Sequence, residues 1–354
     1  MNLLTLLITG AAGYVGSTLT LLAAEEGHHV VAVDNDAARL GLLGQRVPPD
    51  GSVELLHSEL ADLATDEELL SRTDAIIHLA GISSDVAAER DPELTRHVNV
   101  DLALTLARAA KAAGVSKFVL ASTIAIYQVP VGHRLEHELF REEDPPPFGQ
   151  PIGVYAQSKL AAEDEVRKLA DETFTVIVLR KGSLYGYSPV MRWDLIINRM
   201  ILKAWQDEVV LLHDLGAVWR PIAHVTDAAR AYLHLLWLPS WSTNGLPFNL
   251  VERNVRLSEI CLEIDYVLRR ELGRGISLEH GSSPLPQRTG RVSGEALRRV
   301  GWRPTKSLRD GVCELVERLR AGDVPDSVGG RAGVSARSGM SEARVESGGR
   351  VAGT

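Results

Sequence analysis

Short runs of uninterrupted apolar residues recur along the first half of the chain, separated by longer stretches with spaced apolar positions. LLTLLIT (3–9), HVVAVD (29–34), VELLHS (53–58), AIIHLA (75–80), KFVLAS (117–122) and FTVIVLR (174–180) lack the polar alternation of a half-exposed strand. Such runs predict strands buried on both faces, as in a parallel sheet. Tyr14–Glu26, Pro92–Ala113 and Val154–Asp171 predict the intervening helices. Strand and helix in alternation imply an α/β fold with a doubly wound parallel sheet. Beyond Leu179 the rhythm loosens, and helices are expected at Trp193–Trp205, Asp227–Trp237, Leu257–Leu272 and Leu308–Arg320. This half reads as a smaller domain laid over the C-terminal ends of the strands.

Composition removes several function classes. The chain has 354 residues, of which 45% are hydrophobic, enough for a sizeable core. A formal charge of −8 lacks the basic excess that marks nucleic-acid binders. Two cysteines, Cys261 and Cys313, suit a reducing cytoplasm better than a disulfide framework. No apolar stretch approaches the roughly 18 to 20 residues that span a bilayer. No nucleic-acid or membrane partner is therefore expected.

The first apolar run continues into LLITGAAGYVGS (6–17), which poses a choice between a secretion signal and a strand leading to a phosphate-binding turn. A signal begins with positive charge, and no Lys or Arg precedes this run, so the strand is expected. Gly10, Gly13 and Gly16 then stand where a strand gives way to a helix. Missing side chains there allow a tight turn, close approach to a pyrophosphate and close packing of helix on strand. The helix N-terminus adds unpaired N–H donors and partial positive charge. Asp34 closes the second strand 24 residues after Gly10, where a carboxylate can accept hydrogen bonds from an adenosine ribose. It would repel a 2′-phosphate, which favours NAD over NADP. The competing role for Asp34 is to cap the next helix.

A second constellation lies further on. GVYAQSK places Tyr155 and Lys159 on one face of a helix, and ASTIAIY puts Ser122 and Thr123 at a strand end. A phenol titrates near 10, too high for a base at neutral pH. A neighbouring ammonium and a cationic nicotinamide would favour phenolate, and the Thr123 hydroxyl would align a substrate oxygen. Alone, Tyr-x-x-x-Lys is a common surface pair; beside the glycine turn and Asp34 it reads as catalytic.

In their order along residues 3 to 320, TGAAGYVG, DND, HLAG, HVNV, ASTIAIY, YAQSK, LRKGSLYG, RPIAHVTD and GWRP resemble the extended short-chain dehydrogenases/reductases. Within them, the similarity is to the NAD-dependent epimerase/dehydratase group acting on nucleotide sugars. The resemblance implies an enzyme with a Rossmann-type NAD-binding domain over 1–182 and a mainly substrate-binding domain over 183–322. A stretch near 222–250 could return to the first domain, and 323–354 reads as a disordered tail. By the same resemblance the glycine loop with Tyr14 and Val15 meets the pyrophosphate, and Asp34 and Asn35 the adenosine ribose. Glu59 and Leu60 stand at the adenine, Leu79, Ala80 and Gly81 beneath the nicotinamide ribose, and Asn99 supports the central helix. Ser122 also joins the cofactor site, as do Tyr155 and Lys159, which with Thr123 match the catalytic trio. Ser183, Arg220 and Arg288 are implied to bind substrate, the arginines at the nucleotide diphosphate, with an interdomain salt bridge as their alternative role. Many relatives form homodimers through the helices carrying Asn99 and Tyr155, which is expected here too.

Departures from the pattern narrow the reaction. The group's 4,6-dehydratases usually carry Asp-Glu after the catalytic Thr, and related decarboxylases a Glu in the same segment; here Ile124 and Ala125 follow Thr123. Neither cysteine lies near a strand-end motif, which disfavours 3,5-epimerisation. The expected activity is NAD-dependent epimerisation of a nucleotide sugar, at C4 through a transient ketone. A ketoreductase on a nucleotide-linked or other small carbonyl substrate is the alternative, and a non-catalytic NAD-binding sensor the next. Ser183 stands where the family often has Asn, and Gln128 to Pro151 reads as a substrate-shaping loop. Within that loop HRLEH (133–137) spells a zinc-peptidase pattern, but no third ligand or supporting helix accompanies it, so no metal is expected. His78 is expected to be a packed strand residue.

Overall fold

The computed structural model describes residues 3–147, 152–207, 209–281 and 287–323. The expectation of a disordered tail over 323–354 falls, apart from Asp323, outside the described residues. Five strands come first: β1 (Thr5–Thr9), β2 (His29–Asp34), β3 (Val53–His57), β4 (Ala75–His78) and β5 (Lys117–Thr123). With β6 (Thr175–Lys181) and β7 (Leu246–Leu250) they form one sheet in the order β7-β6-β5-β4-β1-β2-β3. Every neighbouring pair in it is parallel. The chain starts in the middle, winds outward to β3, then crosses β1 to wind the other way. That reversal opens a crevice between the C-terminal ends of β1 and β4, where ligands of such sheets bind.

The uninterrupted apolar runs are explained by helices on both sides. Leu6, Ile8, Ile77, Ala121 and Leu179 face α1 (Tyr14–Glu25) and α5 (Val225–Trp237). Leu7, Ile76, Leu120 and Val178 face α2 (Ala103–Ala112) and α3 (Val154–Arg167). Residues alternate between the two faces, as the strand period of two demands. The exception is β3: although its sequence predicts burial on both faces, Glu54, Leu55 and His57 are exposed. It is the edge strand, and no neighbour covers its outer side.

A second core joins α4 (Ile196–Asp207), α6 (Leu257–Leu272) and α7 (Leu308–Arg320) through Ile197, Ile201, Ile264, Val267, Val312 and Leu315. Beside it, the strand Trp219–His224 runs parallel to Ser183–Tyr185 and antiparallel to Arg253–Arg256. Two elements from this half of the sequence contribute to the main sheet layers: α5 packs on α1, and β7 extends the sheet beside β6. The charged segment after Gln128 is anchored at two points. Val129–Pro130 pairs with Arg288–Thr289 and Leu139–Phe140 with Arg291–Val292. The helix expected over Pro92–Ala113 is present, but His97–Leu102 forms a π-turn within it.

Candidate active site

The turn after β1 is built from backbone. Gly10 has φ +69, and a β-carbon there would stand 2.7 Å from the Ala80 nitrogen. At Gly16 a β-carbon would lie 2.1 Å from the Gly10 carbonyl oxygen, so α1 can approach the turn this closely only without a side chain. Helix α1 starts after Gly13 with no side-chain cap, leaving first-turn N–H groups for an anion. Tyr14 and Val15 are buried, and the Tyr14 hydroxyl donates to the Gly186 carbonyl at 2.6 Å. What these two residues can offer a phosphate is therefore their backbone N–H.

Asp34 accepts the Ala12 N–H at Oδ2 and the Asp36 N–H at Oδ1, each at 3.0 Å. The helix that follows is capped by Asp36, whose Oδ1 accepts the Arg39 N–H at 3.0 Å. The capping role considered for Asp34 thus belongs to its neighbour. Burial pushes the Asp34 carboxyl upward, against the two amide hydrogen bonds. Asn35 donates to Glu59 Oε2 at 3.1 Å, bringing the two expected adenosine-side residues together, with Leu60 opening the next short helix. Leu79 and Ala80 follow β4 directly beside the turn, the Leu79 N–H bonded to the Thr9 carbonyl at 3.1 Å. The uncapped helix N-terminus, the tight glycine turn that brings it close to the strand end, and the carboxylate of Asp34 fit a dinucleotide's pyrophosphate and ribose.

The three residues expected to be catalytic lie around the C-terminal end of β5. Tyr155 and Lys159 stand one turn apart on α3, and the Tyr155 hydroxyl hydrogen-bonds the Thr123 side chain. Thr123 Oγ1 also accepts the Ala125 N–H at 3.1 Å, which fixes the hydroxyl at the strand end. Burial dominates the electrostatics. It pushes the Tyr155 phenol up to about 12, with the Asp85 charge adding and the Thr123 hydrogen bond opposing. It pushes the Lys159 ammonium down to about 8, against the Glu163 charge. The expectation that a neighbouring ammonium favours phenolate is therefore not met by the protein alone. Desolvation of the phenol outweighs the charges around it.

Buried groups hold this trio in place. Asn99, on the π-turn, accepts the Ile82 N–H at 2.8 Å and donates to the Ile82 carbonyl at 3.0 Å and to Ser158 Oγ at 2.9 Å. It thereby ties the loop after β4 to α3. A β-carbon on Gly81 would lie 2.6 Å from Asn99 Oδ1 and 3.2 Å from Lys159 Nζ, so Gly81 sits against both. The Ser122 hydroxyl donates to Glu163, which also receives Arg180 Nη2 at 2.6 Å. Ser122, expected at the cofactor, instead spends its hydroxyl on Glu163, which lies one turn along α3 from Lys159. His78 is buried, bonded to Thr9 Oγ1 at 2.8 Å and packed on Phe118, and burial lowers its imidazole to about 3.

Among the expected substrate residues, Arg220 and Arg288 come together: Arg220 Nη1 donates to the Arg288 carbonyl at 2.6 Å. Arg220 makes no ion pair among the described residues, and burial lowers its guanidinium to about 10. The Arg288 charge in turn lowers the Asp85 carboxyl, which burial raises. Ser183 pairs with Ile222 on the strand that carries Arg220. HRLEH lies in turns, where Glu136 accepts the Gly132 N–H at 2.6 Å. Cys261 and Cys313 lie on α6 and α7 in the second core, and burial raises both thiols.

Residues 6–250 match the model of the NAD dependent epimerase/dehydratase family. The chain belongs to that family. Among its relatives, UDP-glucuronic acid decarboxylase 1 of Xenopus tropicalis is 27% identical over 318 residues, covering 89% of this chain and 72% of that protein. UDP-glucose 4-epimerase of Corynebacterium glutamicum is 32% identical over 167 residues, 47% of this chain and 46% of the relative. The solved complex of MoeE5 with UDP-glucuronic acid and NAD superposes with a TM-score of 0.74 at 25% identity, covering 90% of this chain and 99% of that one. The protein is accordingly an NAD-dependent enzyme whose relatives epimerise, dehydrate or decarboxylate nucleotide sugars.

Three charged residues of this family member escape a reading by motif. Asp85 opens a short helix and acts electrostatically on Tyr155. Arg192 also acts on Tyr155, and is paired with Asp194 through two contacts of 2.6 Å. Lys181 ends β6, one position after Arg180. Only Lys181 lies within a quoted motif, LRKGSLYG, at a position to which the motif assigns no role.

Proposed function

We propose that this protein is an NAD-dependent nucleotide-sugar epimerase inverting C4 through a transient ketone. The observation that carries the reading is the composition of the strand end. Thr123, Tyr155 and Lys159 supply one aligning hydroxyl, one proton carrier and one ammonium. Ile124, buried, and Ala125 occupy the positions where the family's dehydratases would move further protons. In this reading Tyr155 takes the proton of the C4 hydroxyl while Thr123 holds that oxygen, and Lys159 in its ammonium form eases loss of the phenol proton. Gly10–Gly16 and Asp34 would hold NAD, which when bound would supply a cationic ring and reversible acceptance of a hydride. The ketone turns over in the pocket, regains hydrogen on its other face, and recovers its proton from Tyr155. Arg220 and Arg288 suit the substrate diphosphate because a guanidinium can meet phosphate oxygens in two hydrogen bonds. UDP-sugars are the first candidates, since the relatives and MoeE5 are named with UDP-glucose or UDP-glucuronic acid.

The reading extends to a cytosolic homodimer paired through α2 and α3, in keeping with the reduced cysteines and with Leu104, Ala109, Ala161 and Leu169, which are partly buried on or beside these helices. No helix among the described residues is long and apolar enough to cross a membrane. The test is to incubate the enzyme with UDP- and dTDP-linked hexoses and hexuronates and follow C4 configuration by NMR. Interconversion of C4 epimers without net NADH supports the proposal. Stoichiometric NADH formation would make the protein a dehydrogenase, and loss of water or carbon dioxide would place it with other members of the family.

A further inference from the structure

The side chain of Lys181 has a setting that the proposed chemistry does not use. It is the last residue of β6 and the register partner of Thr123 on β5. One step earlier, Ser122 and Arg180 are partners too, and both are bound to Glu163. Alternation along a strand sends Lys181 to the face opposite Arg180, level with the hydroxyl that bonds Tyr155. Of the neighbouring cations, Arg180 is paired with Glu163 and Arg192 with Asp194. Lys181 is partly buried, and its side chain has no hydrogen-bond or ion-pair partner among the described residues. The charges that act on it are Lys159 and Arg192, both cationic. Burial and these two neighbours push its ammonium down to about 7. A cation withdrawn from water without a partner is unfavourable, and an anion supplied by a ligand is the group that would complete it.

We propose that Lys181 is a specificity residue that selects a sugar whose reacting ring carries a carboxylate, through a charge-assisted hydrogen bond. The diphosphate has its own arginines in Arg220 and Arg288, whereas Lys181 is paired in register with Thr123 at the reacting carbon. The inference rests on reading the crevice as a nucleotide-sugar site, and it adds that the sugar is a hexuronate.

Hexuronate and hexose differ at C6 alone, so a matched pair isolates the effect. Affinity of the full-length, NAD-loaded protein is measured by calorimetry for UDP-glucuronate and UDP-glucose, and for the dTDP-linked pair, alongside turnover of each. The wild type should bind the hexuronate about tenfold or more tightly than the hexose, the size expected for one added charge-assisted contact. Lys181→Met should abolish that preference, leave hexose affinity and NAD content unchanged, and Lys181→Arg should recover part of it. Equal wild-type affinities would overturn the inference without needing a variant, and so would a Lys181→Met protein that weakens both sugars alike. Preference for the hexuronate with no conversion of any sugar would keep Lys181 in its role and remove the epimerase reading. Conversion of both sugars without preference would do the reverse, and failure to bind either would remove both.

Discussion

At the cofactor end of the crevice, the turn and carboxylate expected to hold the pyrophosphate and ribose lie between Gly10 and Asp36, within one strand–helix–strand unit, and many of their donors are backbone N–H groups. At the end proposed for the substrate, Ser183, Arg220 and Arg288 are contributed by three separate strands, and two of the three carry long charged side chains. The first end depends on what is missing, since a single β-carbon at Gly10 or Gly16 would collide with backbone. The second depends on what has been placed there, and its arginines are also tied to each other's strands, since Arg220 Nη1 donates to the Arg288 carbonyl. Cofactor binding is therefore held by the backbone of the turn, whereas in the proposed reading substrate choice rests on individual side chains.

The contrast can be broken at either end. Gly10→Ala should have the largest effect: the left-handed conformation and the clash with Ala80 would destabilise the protein by about 1–3 kcal/mol and empty the NAD site. Denaturant titration and the NAD content of the purified variant measure both. Arg220→Met should leave NAD content unchanged but weaken nucleotide-sugar binding about tenfold to a hundredfold, the loss of one charge-assisted contact. If this variant lost NAD instead, the two ends would not be separable. Asp34→Ala should act most mildly. Removing the carboxylate that repels a 2′-phosphate should narrow the preference for NAD over NADP by about tenfold, read from the two dissociation constants.

The same contrast governs what the sequence could reveal. The strands of the sheet interior were legible because burial on both faces leaves an uninterrupted apolar run. VELLHS carries the same signature yet forms the edge, because strand order is set by crossovers that no local pattern records. The glycine turn and Asp34 were legible because their spacing is fixed within one supersecondary unit. The capping role of Asp36 was hidden by its neighbour, since two aspartates in DND compete for it on equal terms. The π-turn around Asn99 spans six residues, too short a stretch for apolar spacing to reveal it. Arg220 and Arg288 could be named individually, but their contact depends on Val129–Pro130 pairing with Arg288–Thr289 across most of the chain. Lys181 was passed over because its meaning lies in its register with Thr123 and in the absence of a partner. Neither is visible before the strands are paired.

In the proposed reading, the Tyr155 phenol carries the proton in a crevice that Thr123 and Lys159 complete. Tyr155→Phe removes one oxygen and keeps the ring. Its steady-state turnover of the best nucleotide sugar, compared with the wild type at equal NAD occupancy, is the most direct measurement. A fall of about 10²- to 10⁴-fold, the usual worth of a positioned acid–base group, with NAD and sugar still bound, is the predicted result. Turnover within a few-fold of the wild type would contradict the account.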